Sequence, residues 1–266
     1  MRVEDFTIGA DPEIFVGQDG VFQSAHDMVP GFKWNPHKVD KGAVQVDGMA
    51  LEFNIDPVNT YEAFQHNLDT VRQQLSEMIR PFNVDFLQEV SVFFDQNYLD
   101  TIPIMNKELG CQSDFNAWVM DENRPPNSRK LMRTAGGHIH IGGFPTEEEY
   151  DPEHFEKAAS MARLLDEEIG VYSILWDTDD QRRGMYGKAG SFRPKTYGME
   201  YRTLSSKWLF KPQLTKFVFD GALRAFTRFV EGDITTGEDV QTIIDRSQRD
   251  HPLFDGNCLA DQARAA

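Results

Sequence analysis

The stretch GGHIHIGG, residues 136–143, alternates two histidines with two isoleucines and carries a glycine pair at each end. Successive side chains of a β-strand point to opposite faces, so His138 and His140 share one face of the predicted strand. The glycines permit close backbone approach or unusual dihedral angles, which suits a crowded site. The stretch predicts a strand with one chemically active face, although two half-buried imidazoles bonded to backbone carbonyls would give the same pattern.

Three further stretches, GADPEIFV, MALEFNID and YGMEYRTL, also place a polar pair on one face of a predicted strand. A solvated strand face explains any single pattern of this kind. Each of these pairs contains an acid, whose partner is an acid, an asparagine or an arginine, unlike the Lys, Thr and Ser mixture of an ordinary wet face. The pairs are Asp11 with Glu13, Glu52 with Asn54, and Glu200 with Arg202.

If these strands are neighbours, their carboxylates converge on one face of a sheet. Carboxylates at that density raise one another's pKa values, and divalent cations would relieve the repulsion. Mg²⁺ and Mn²⁺ take carboxylate oxygens, and Mn²⁺ also accepts imidazole. The sequence therefore predicts two or more divalent ions in an acid-lined trough. The acids concerned are Asp11, Glu13, Glu52 and Glu200, with Asp47 as a further candidate.

A basic stretch threaded with glycines comes immediately before Glu200 and Arg202. Guanidinium groups bind phosphate oxygens in a bidentate manner, so this stretch predicts a phosphate site in an otherwise acidic chain. A solvated basic loop is the alternative. The sequence contains no GxxxxGK[ST] and no GxGxxG that follows a strand. The basic residues are Arg182, Arg183, Lys188, Arg193 and Lys195.

Apolar periodicity predicts three helices, from about Thr60 to Arg80, from Asp151-Pro152-Glu153, and after Lys211-Pro212. Strands are predicted near residues 6–16, 44–46, 49–55, 89–94, 138–141 and 198–204, and Asp47-Gly48 predicts a hairpin. Residues 96–136 are expected to be rich in loops. The chain is predicted to form one α+β domain over residues 1–266, with a core at about 5–232 and a polar C-terminal extension at 233–266.

Composition limits the possible partners and compartment. The 266 residues carry 27 basic and 43 acidic side chains, a formal charge of −16. Such a charge disfavours extended contact with nucleic acid or an anionic membrane. Cys111 and Cys258 form no CxxC motif. Together with an N-terminus unlike a signal peptide, they indicate a reduced, cytoplasmic setting.

In order along the chain, these motifs resemble the glutamine synthetase and glutamate–cysteine ligase superfamily. They are most similar to the phage and bacterial COOH–NH2 ligase type 2 amidoligases. The resemblance covers about residues 8–208, and its most specific pieces are GGHIHIG and RPKTYGMEYRTLSSKW. It implies an α+β fold with a curved, mainly antiparallel sheet and helices on its outer face.

The resemblance also implies roles for individual residues. The implied metal ligands are Asp11, Glu13, Asp47, Glu52, His138 and Glu200, although the hairpin turn explains Asp47 equally well. The implied nucleotide contacts are His140, Arg182, Arg183, Lys188, Arg193 and Arg202. The implied catalytic residues are Arg193, Lys195 and Arg202.

The activity implied by the resemblance is ATP-dependent ligation of a carboxylate to an amine through an acyl phosphate, with Mg²⁺ or Mn²⁺. A metal-dependent hydrolase using the HxH motif and a non-catalytic nucleotide- or metal-binding protein are the alternatives. The expected substrates are small molecules or peptides. The sequence identifies neither the acid nor the amine, and it does not predict the oligomeric state.

Overall fold

The computed structural model describes residues 1–107, 114–123 and 131–266. Cys111 lies outside the described residues. The strands are β1 Thr7–Ala10, β2 Glu13–Gln18, β3 Val21–Gln23, β4 His37–Val39, β5 Gly42–Asp47, β6 Ala50–Ile55, β7 Asp85–Leu87, β8 Ser91–Phe93, β9 Phe115–Asn116, β10 Asp121–Glu122, β11 Met132–Thr134, β12 Ile139–Gly142, β13 Ser191–Lys195 and β14 Gly198–Tyr201.

The helices lie between and after these strands. They are α1 Tyr61–Ile79, α2 Gln96–Thr101, α3 Ile104–Lys107, α4 Pro152–Leu165, α5 Val171–Trp176, α6 Asp180–Met185, α7 Pro212–Glu231, α8 Val240–Asp245 and α9 Cys258–Ala265. None of the helices in the described ranges is both long and apolar enough to cross a bilayer.

The strands form antiparallel sheets, which confirms the α+β prediction. The first sheet has the order β1-β12-β14-β13-β9-β10. The second has the order β3-β2-β6-β5-β4, and β7 pairs with β2. Strands β8 and β11 form a separate pair. The described part of residues 96–136 contains helices α2 and α3 and strands β9, β10 and β11, so it is less irregular than predicted.

The predicted strand over residues 6–16 is wrong in one respect, because it is two strands in two sheets. Strand β1 pairs with β12, whereas β2 pairs with β6. Pro12 lies between them, and a proline has no N–H to continue a ladder. Instead, its carbonyl accepts a bond from Phe53 N at 3.2 Å. Asp11 and Glu13 therefore stand where the chain passes from one sheet to the other.

The three long helices begin as predicted. The Thr60 side chain accepts a bond from Ala63 N at 3.3 Å, and the Asp151 side chain accepts one from His154 N at 3.0 Å. Helix α7 ends at Gly232, which adopts the left-handed conformation with φ 79°. The sequence did not predict that α4 widens into a π-helical turn at Asp166–Gly170 before it continues as α5.

The helices cover one side of the two sheets. Helix α1 packs against β5 and β6, helix α4 packs against β13 and β14, and α7 packs against both helices. Apolar strand residues such as Ile139, Ile141 and Phe53 are fully buried on this side. The alternate strand residues, which carry the charged pairs, therefore point away from the helix layer.

The segment after residue 232 is integrated into the core. Helices α8 and α9 both lie within the range 233–266 that was predicted to be a polar extension. Phe254 has no exposed surface and packs edge-on against Tyr172, with ring centroids 6.1 Å apart. Helices α8 and α9 both contact α5. Although this segment is polar in composition, its apolar side chains pack against α5 and cover part of the core.

This packing predicts unequal effects for two neighbouring residues. Phe254→Ala should lower the free energy of unfolding by about 3–5 kcal/mol, because it empties a fully buried aromatic site. Leu253→Ala is the control, since Leu253 is 38% exposed and should change stability by about 0.5 kcal/mol or less. Urea unfolding of the intact chain measures both. Equal, small effects would show that the C-terminal segment does not belong to the core.

Candidate functional site

Asp11, His138 and Glu200 form the first of two clusters of metal-ligating groups, here called the first cluster. One ligand atom from each lies within 4.8 Å of the others. His138 Nδ1 is 3.5 Å from Asp11 Oδ1 and 3.6 Å from Glu200 Oε1. Antiparallel pairing of β1, β12 and β14 brings the three together. An acid-acid-imidazole set of this kind suits Mg²⁺ or Mn²⁺.

Glu13, Asp47 and Glu52 form the second cluster, again with ligand atoms within 4.8 Å of one another. Glu13 and Glu52 are direct partners in the β2–β6 ladder. Asp47 is the last residue of β5, where it pairs with Ala50 beside a turn whose Gly48 has φ 59°. This turn confirms the hairpin predicted from Asp47-Gly48.

The two clusters adjoin because the Asp11-Pro12-Glu13 segment supplies one acid to each. The sequence predicted a single acid-lined face on one sheet, whereas the structure divides the six candidate ligands equally between two sheets. Pro12 causes the division, because the strand breaks there. All six candidates named from the sequence are present in one cluster or the other.

Burial and like charge act strongly on the second cluster. Burial, followed by the nearby Asp47 carboxylate, raises the pKa of Glu13 to about 7. Burial and the charges of Asp11 and Glu13 raise the pKa of Glu52 well above its ordinary value. The Lys33 ammonium lies 3.0 Å from Asp47 Oδ2 and offsets part of this repulsion. Without a divalent ion, the second cluster holds protons at neutral pH.

The first cluster behaves in the opposite way. Burial alone would raise the pKa of Glu200, but the Arg202 guanidinium outweighs it and lowers that pKa to about 2. Burial is likewise outweighed at Asp11, where the His140 and His138 imidazoles lower the pKa of the carboxyl. The carboxylates of the first cluster are therefore ionised across the physiological range.

Three basic side chains surround Glu200. Arg202 bonds to Glu200 Oε1, donates to Asp114 Oδ2 at 3.0 Å, and its Nη1 lies 3.3 Å from His138 Nδ1. Arg193 Nη1 and Lys195 Nζ lie 3.6 Å and 3.4 Å from the Glu200 carboxylate. Direct pairing of Arg193 with Glu200 across β13 and β14 accounts for this placement. The predicted catalytic residues are thus grouped at the first cluster.

Arg182, Arg183 and Lys188 are placed differently from the prediction. Arg182 is buried and donates to Thr203 O at 3.0 Å and to Leu204 O at 2.7 Å, although it also lines a cavity beside the second cluster. Arg183 faces Asp177 at 3.7 Å. Lys188 is exposed.

These positions do not support the nucleotide contacts predicted for Arg183 and Lys188. The sequence suggested one extended basic loop, but Arg182 and Arg183 lie on helix α6. Successive helix residues point in directions about 100° apart. Their guanidinium groups bond mainly to the carbonyls and carboxylate of neighbouring segments rather than converging on one ligand.

Two cavities open beside the clusters. The arginine cavity, about 90 Å³, is lined by Glu13, Asp47, His138, Arg133, Arg182 and Arg202, together with Phe15, Met49 and Tyr186. The histidine cavity, about 480 Å³, is lined by Asp11, Glu52, His140, Lys33, Asn54 and Tyr197. Each cavity contains residues of both clusters, so the acid trough lies between two separate ligand spaces.

His140 lines the histidine cavity. Its Nε2 is 3.0 Å from Asp11 Oδ1, and its Nδ1 bonds to the Tyr197 hydroxyl. Burial opposes protonation, but the Asp11 charge outweighs it and raises the pKa of His140. His140 thus stands beside the first cluster, where the Asp11 charge favours its protonated form.

Sequence reasoning missed four polar residues at the site. Tyr197 lies within the quoted YGMEYRTL stretch and Asp114 comes directly before strand β9, but neither belongs to the alternating polar pairs that identified the other residues. Lys33 and Arg133 stand alone in loop and strand sequence with no local signal. Their placement depends on tertiary packing.

Comparison with known proteins gives one match to a family model. Residues 131–235 match the model of phage phiEco32-like COOH.NH2 ligase-type 2 proteins. This segment contains His138, Glu200 and Arg202, so the resemblance expected from those motifs is confirmed. Asp11, Glu13, Asp47 and Glu52 lie outside the matched segment. No curated protein sequence matches the chain.

Two solved structures of GmaS align with the chain. The structure of apo GmaS without ligand has 11% sequence identity and a TM-score of 0.43, and the alignment covers 98% of this chain and 67% of that one. The GmaS/ADP complex in conformation 1 has 10% identity and a TM-score of 0.39, with the same coverage.

The opposite pKa shifts predict different pH dependences for the two clusters. Metal binding requires ionised carboxylates, so acidification from pH 8 to pH 6 should weaken Mn²⁺ binding at the second cluster about tenfold or more, because protons then compete at Glu13. Binding at the first cluster should change little over this range, since its carboxylates remain ionised. Titration of free Mn²⁺ by electron paramagnetic resonance measures both affinities.

Matched variants assign the two affinities. Glu13→Gln should remove the pH-dependent component and Glu200→Gln the pH-independent one. Glu153→Gln, on an exposed ion pair with Lys157, is the control and should bind Mn²⁺ like the wild type. Two Mn²⁺ sites with the same pH dependence would contradict this description of the clusters.

Proposed function

We propose that the protein is an ATP-dependent carboxylate–amine ligase that forms an amide or peptide bond through an acyl phosphate. The observation that carries the proposal is the arrangement of two acidic clusters side by side, with three basic side chains at the first cluster and a cavity on either side. Two ligand spaces that meet at a cation-binding trough suit a reaction that joins a carboxylate to an amine and consumes ATP.

A carboxylate does not react with an amine at neutral pH, because oxide is a poor leaving group. Phosphorylation of the carboxylate supplies a good one. The residues of both clusters would hold Mg²⁺ or Mn²⁺, and bound divalent ions neutralise the repulsion between two anions and stabilise charge on a phosphoryl group. The match of residues 131–235 to a COOH.NH2 ligase family supports this class of reaction.

The basic side chains have distinct proposed tasks. Arg202 is held between Glu200 and Asp114, so its planar guanidinium is fixed before any ligand binds. A fixed donor array costs little reorganisation as charge develops on a transferred phosphoryl group. Arg193 and Lys195 lie on the neighbouring strand and would contact the same group from its other side.

The two cavities suggest where the substrates bind. The histidine cavity has the larger volume, about 480 Å³, and we assign the nucleotide to it, with His140, Tyr197 and Lys33 near the phosphates. The arginine cavity is smaller and mixes guanidinium groups with Met and aromatic side chains. We assign the carboxylate substrate to it, either a small molecule or the end of a peptide.

The acyl-phosphate route predicts isotope transfer. A screen of pooled carboxylates against pooled amines, read by ADP release with Mg²⁺, first identifies a substrate pair. When the substrate carboxylate carries ¹⁸O, one labelled oxygen per turnover should then appear in the released phosphate. Label found only in the amide product would exclude this route, and product formation without ATP would indicate a hydrolase.

Arg202→Lys should lower kcat on the order of 100-fold, because a point ammonium does not reproduce the bidentate fork. The control is Arg249→Lys, whose arginine pairs with Asp180 at the surface and lies outside both cavities. That variant should retain wild-type kcat. Equal activity of the two variants would contradict the role assigned to Arg202.

A further inference from the structure

Asp166 is a fully buried carboxylate that the proposed chemistry does not use. It lies at the start of the π-helical turn between α4 and α5, behind the sheet that carries the first cluster. A carboxylate without exposure needs hydrogen-bond donors on both oxygens to offset its desolvation. Its two short hydrogen bonds come from the two segments that hold Arg202.

Tyr201, Trp118 and Gly190 donate to Asp166. The Tyr201 hydroxyl donates to Oδ1 at 2.6 Å, and the Trp118 indole N–H donates to Oδ2 at 2.6 Å. Gly190 contributes a backbone bond, whereas Thr203 Oγ1 lies 3.4 Å from Oδ1 and donates its proton to Lys188 O at 2.9 Å. Both carboxylate oxygens therefore accept bonds, and the two short bonds come from different parts of the chain.

Tyr201 and Thr203 immediately flank Arg202. Because side chains alternate along an extended segment, Arg202 faces the first cluster while its two neighbours point back to the helix layer. Asp166 accepts the short bond from Tyr201 and so fixes the backbone that carries the guanidinium. Loss of the Tyr201–Asp166 bond would therefore change the position of Arg202.

Trp118 belongs to the segment that carries the other partner of Arg202. Asp114, four residues earlier, accepts the Arg202 Nε bond at 3.0 Å. Strand β9 joins the two residues, and the Asn116 side chain accepts a bond from Trp118 N at 2.9 Å. One oxygen of Asp166 thus binds Tyr201, next to Arg202, and the other binds Trp118, in the segment that contains Asp114.

The helix geometry is adapted to this contact. A Cβ atom added at Gly170, the last residue of the π-helical turn, would collide with the Tyr201 hydroxyl and lie 3.0 Å from Asp166 Oδ1. The wide turn and its glycine make room for the Tyr201–Asp166 bond. Local π-helical turns of this kind are frequent at functional sites.

We propose that Asp166 is a positioning residue for Arg202: it anchors the Tyr201–Thr203 and Asp114–Trp118 segments together, which sets the guanidinium between Glu200 and Asp114. The consequence for phosphate binding rests on the proposed function. The effect on the Arg202–Asp114 contact does not, and it follows from the hydrogen bonds alone.

Asp166→Asn tests the proposal with almost no change in volume. Only one oxygen remains to accept in either orientation of the amide: with that oxygen toward Tyr201 the NH2 meets the Trp118 indole N–H, and with it toward Trp118 the Tyr201 hydroxyl loses its acceptor and must itself accept from the NH2. The affinity for a non-hydrolysable ATP analogue with Mn²⁺ should fall about tenfold or more, as expected for a misplaced charged donor. Mn²⁺ binding without nucleotide should change less than about twofold, because the ligands of the first cluster are fixed by strand pairing.

The double variant Asp166→Asn with Trp118→Phe removes the conflicting donor. It should recover nucleotide affinity to within about threefold of Trp118→Phe alone, which is the coupling a double-mutant cycle detects. A purely structural role would lower the melting temperature and all affinities together, without such rescue. Should Asp166→Asn fail to fold, Tyr201→Phe removes one bond, keeps the carboxylate and should give the same selective loss.

A crystal structure of Asp166→Asn separates this proposal from the proposed function. If the wild type binds no ATP analogue, the proposed function fails, and the test becomes the Arg202 Nε–Asp114 Oδ2 distance. That distance should lengthen well beyond hydrogen-bond range in Asp166→Asn and return in the double variant. An unchanged contact, or unchanged nucleotide affinity in a wild type that does bind, would overturn the proposal.

Discussion

The structure depends on how the mutual repulsion of five carboxylates in two adjacent clusters is compensated. Such a concentration of negative charge in a partly buried space opposes folding unless protons, cations or basic side chains compensate it. The two clusters are compensated differently. Arg202, with Arg193 and Lys195, keeps the first cluster ionised, whereas the second cluster is left with raised pKa values at Glu13 and Glu52. The first cluster is thus already ionised when a cation binds, whereas the second cluster releases protons on binding a cation.

The rest of the fold places these charges and keeps them in place. Pro12 separates strand β1 of one sheet from strand β2 of the other. The acids on either side of it, Asp11 and Glu13, therefore belong to different clusters. The helix layer buries the apolar face of both sheets, and Asp166 reaches from that layer to the back of the strand that carries Glu200 and Arg202. Charged groups whose positions are fixed before ligands arrive stabilise developing charge at little cost in reorganisation. The contacts that stabilise the fold therefore also hold the charged groups of the site in position.

Strand alternation made much of the site predictable from the sequence. His138, Glu200, Glu13 and Glu52 follow the two-residue period of strands, and helix caps such as Thr60 and Asp151 follow local rules. Longer-range features were not predictable in the same way. Arg183 looks like a phosphate ligand in sequence but bonds to Asp177, because helix α6 turns it away from the trough. Lys33, Asp114 and Asp166 reach the site only through tertiary packing, and no short pattern marks them.

The central claim is that the two clusters are neighbouring divalent-cation sites. Crystals soaked in Mn²⁺ test it most directly through the anomalous difference map. The account predicts two peaks per chain, one in contact with Asp11, His138 and Glu200 and the other with Glu13, Asp47 and Glu52. Peaks that lie away from these side chains, or no peak at either cluster in fully soaked crystals at pH 8, would contradict it.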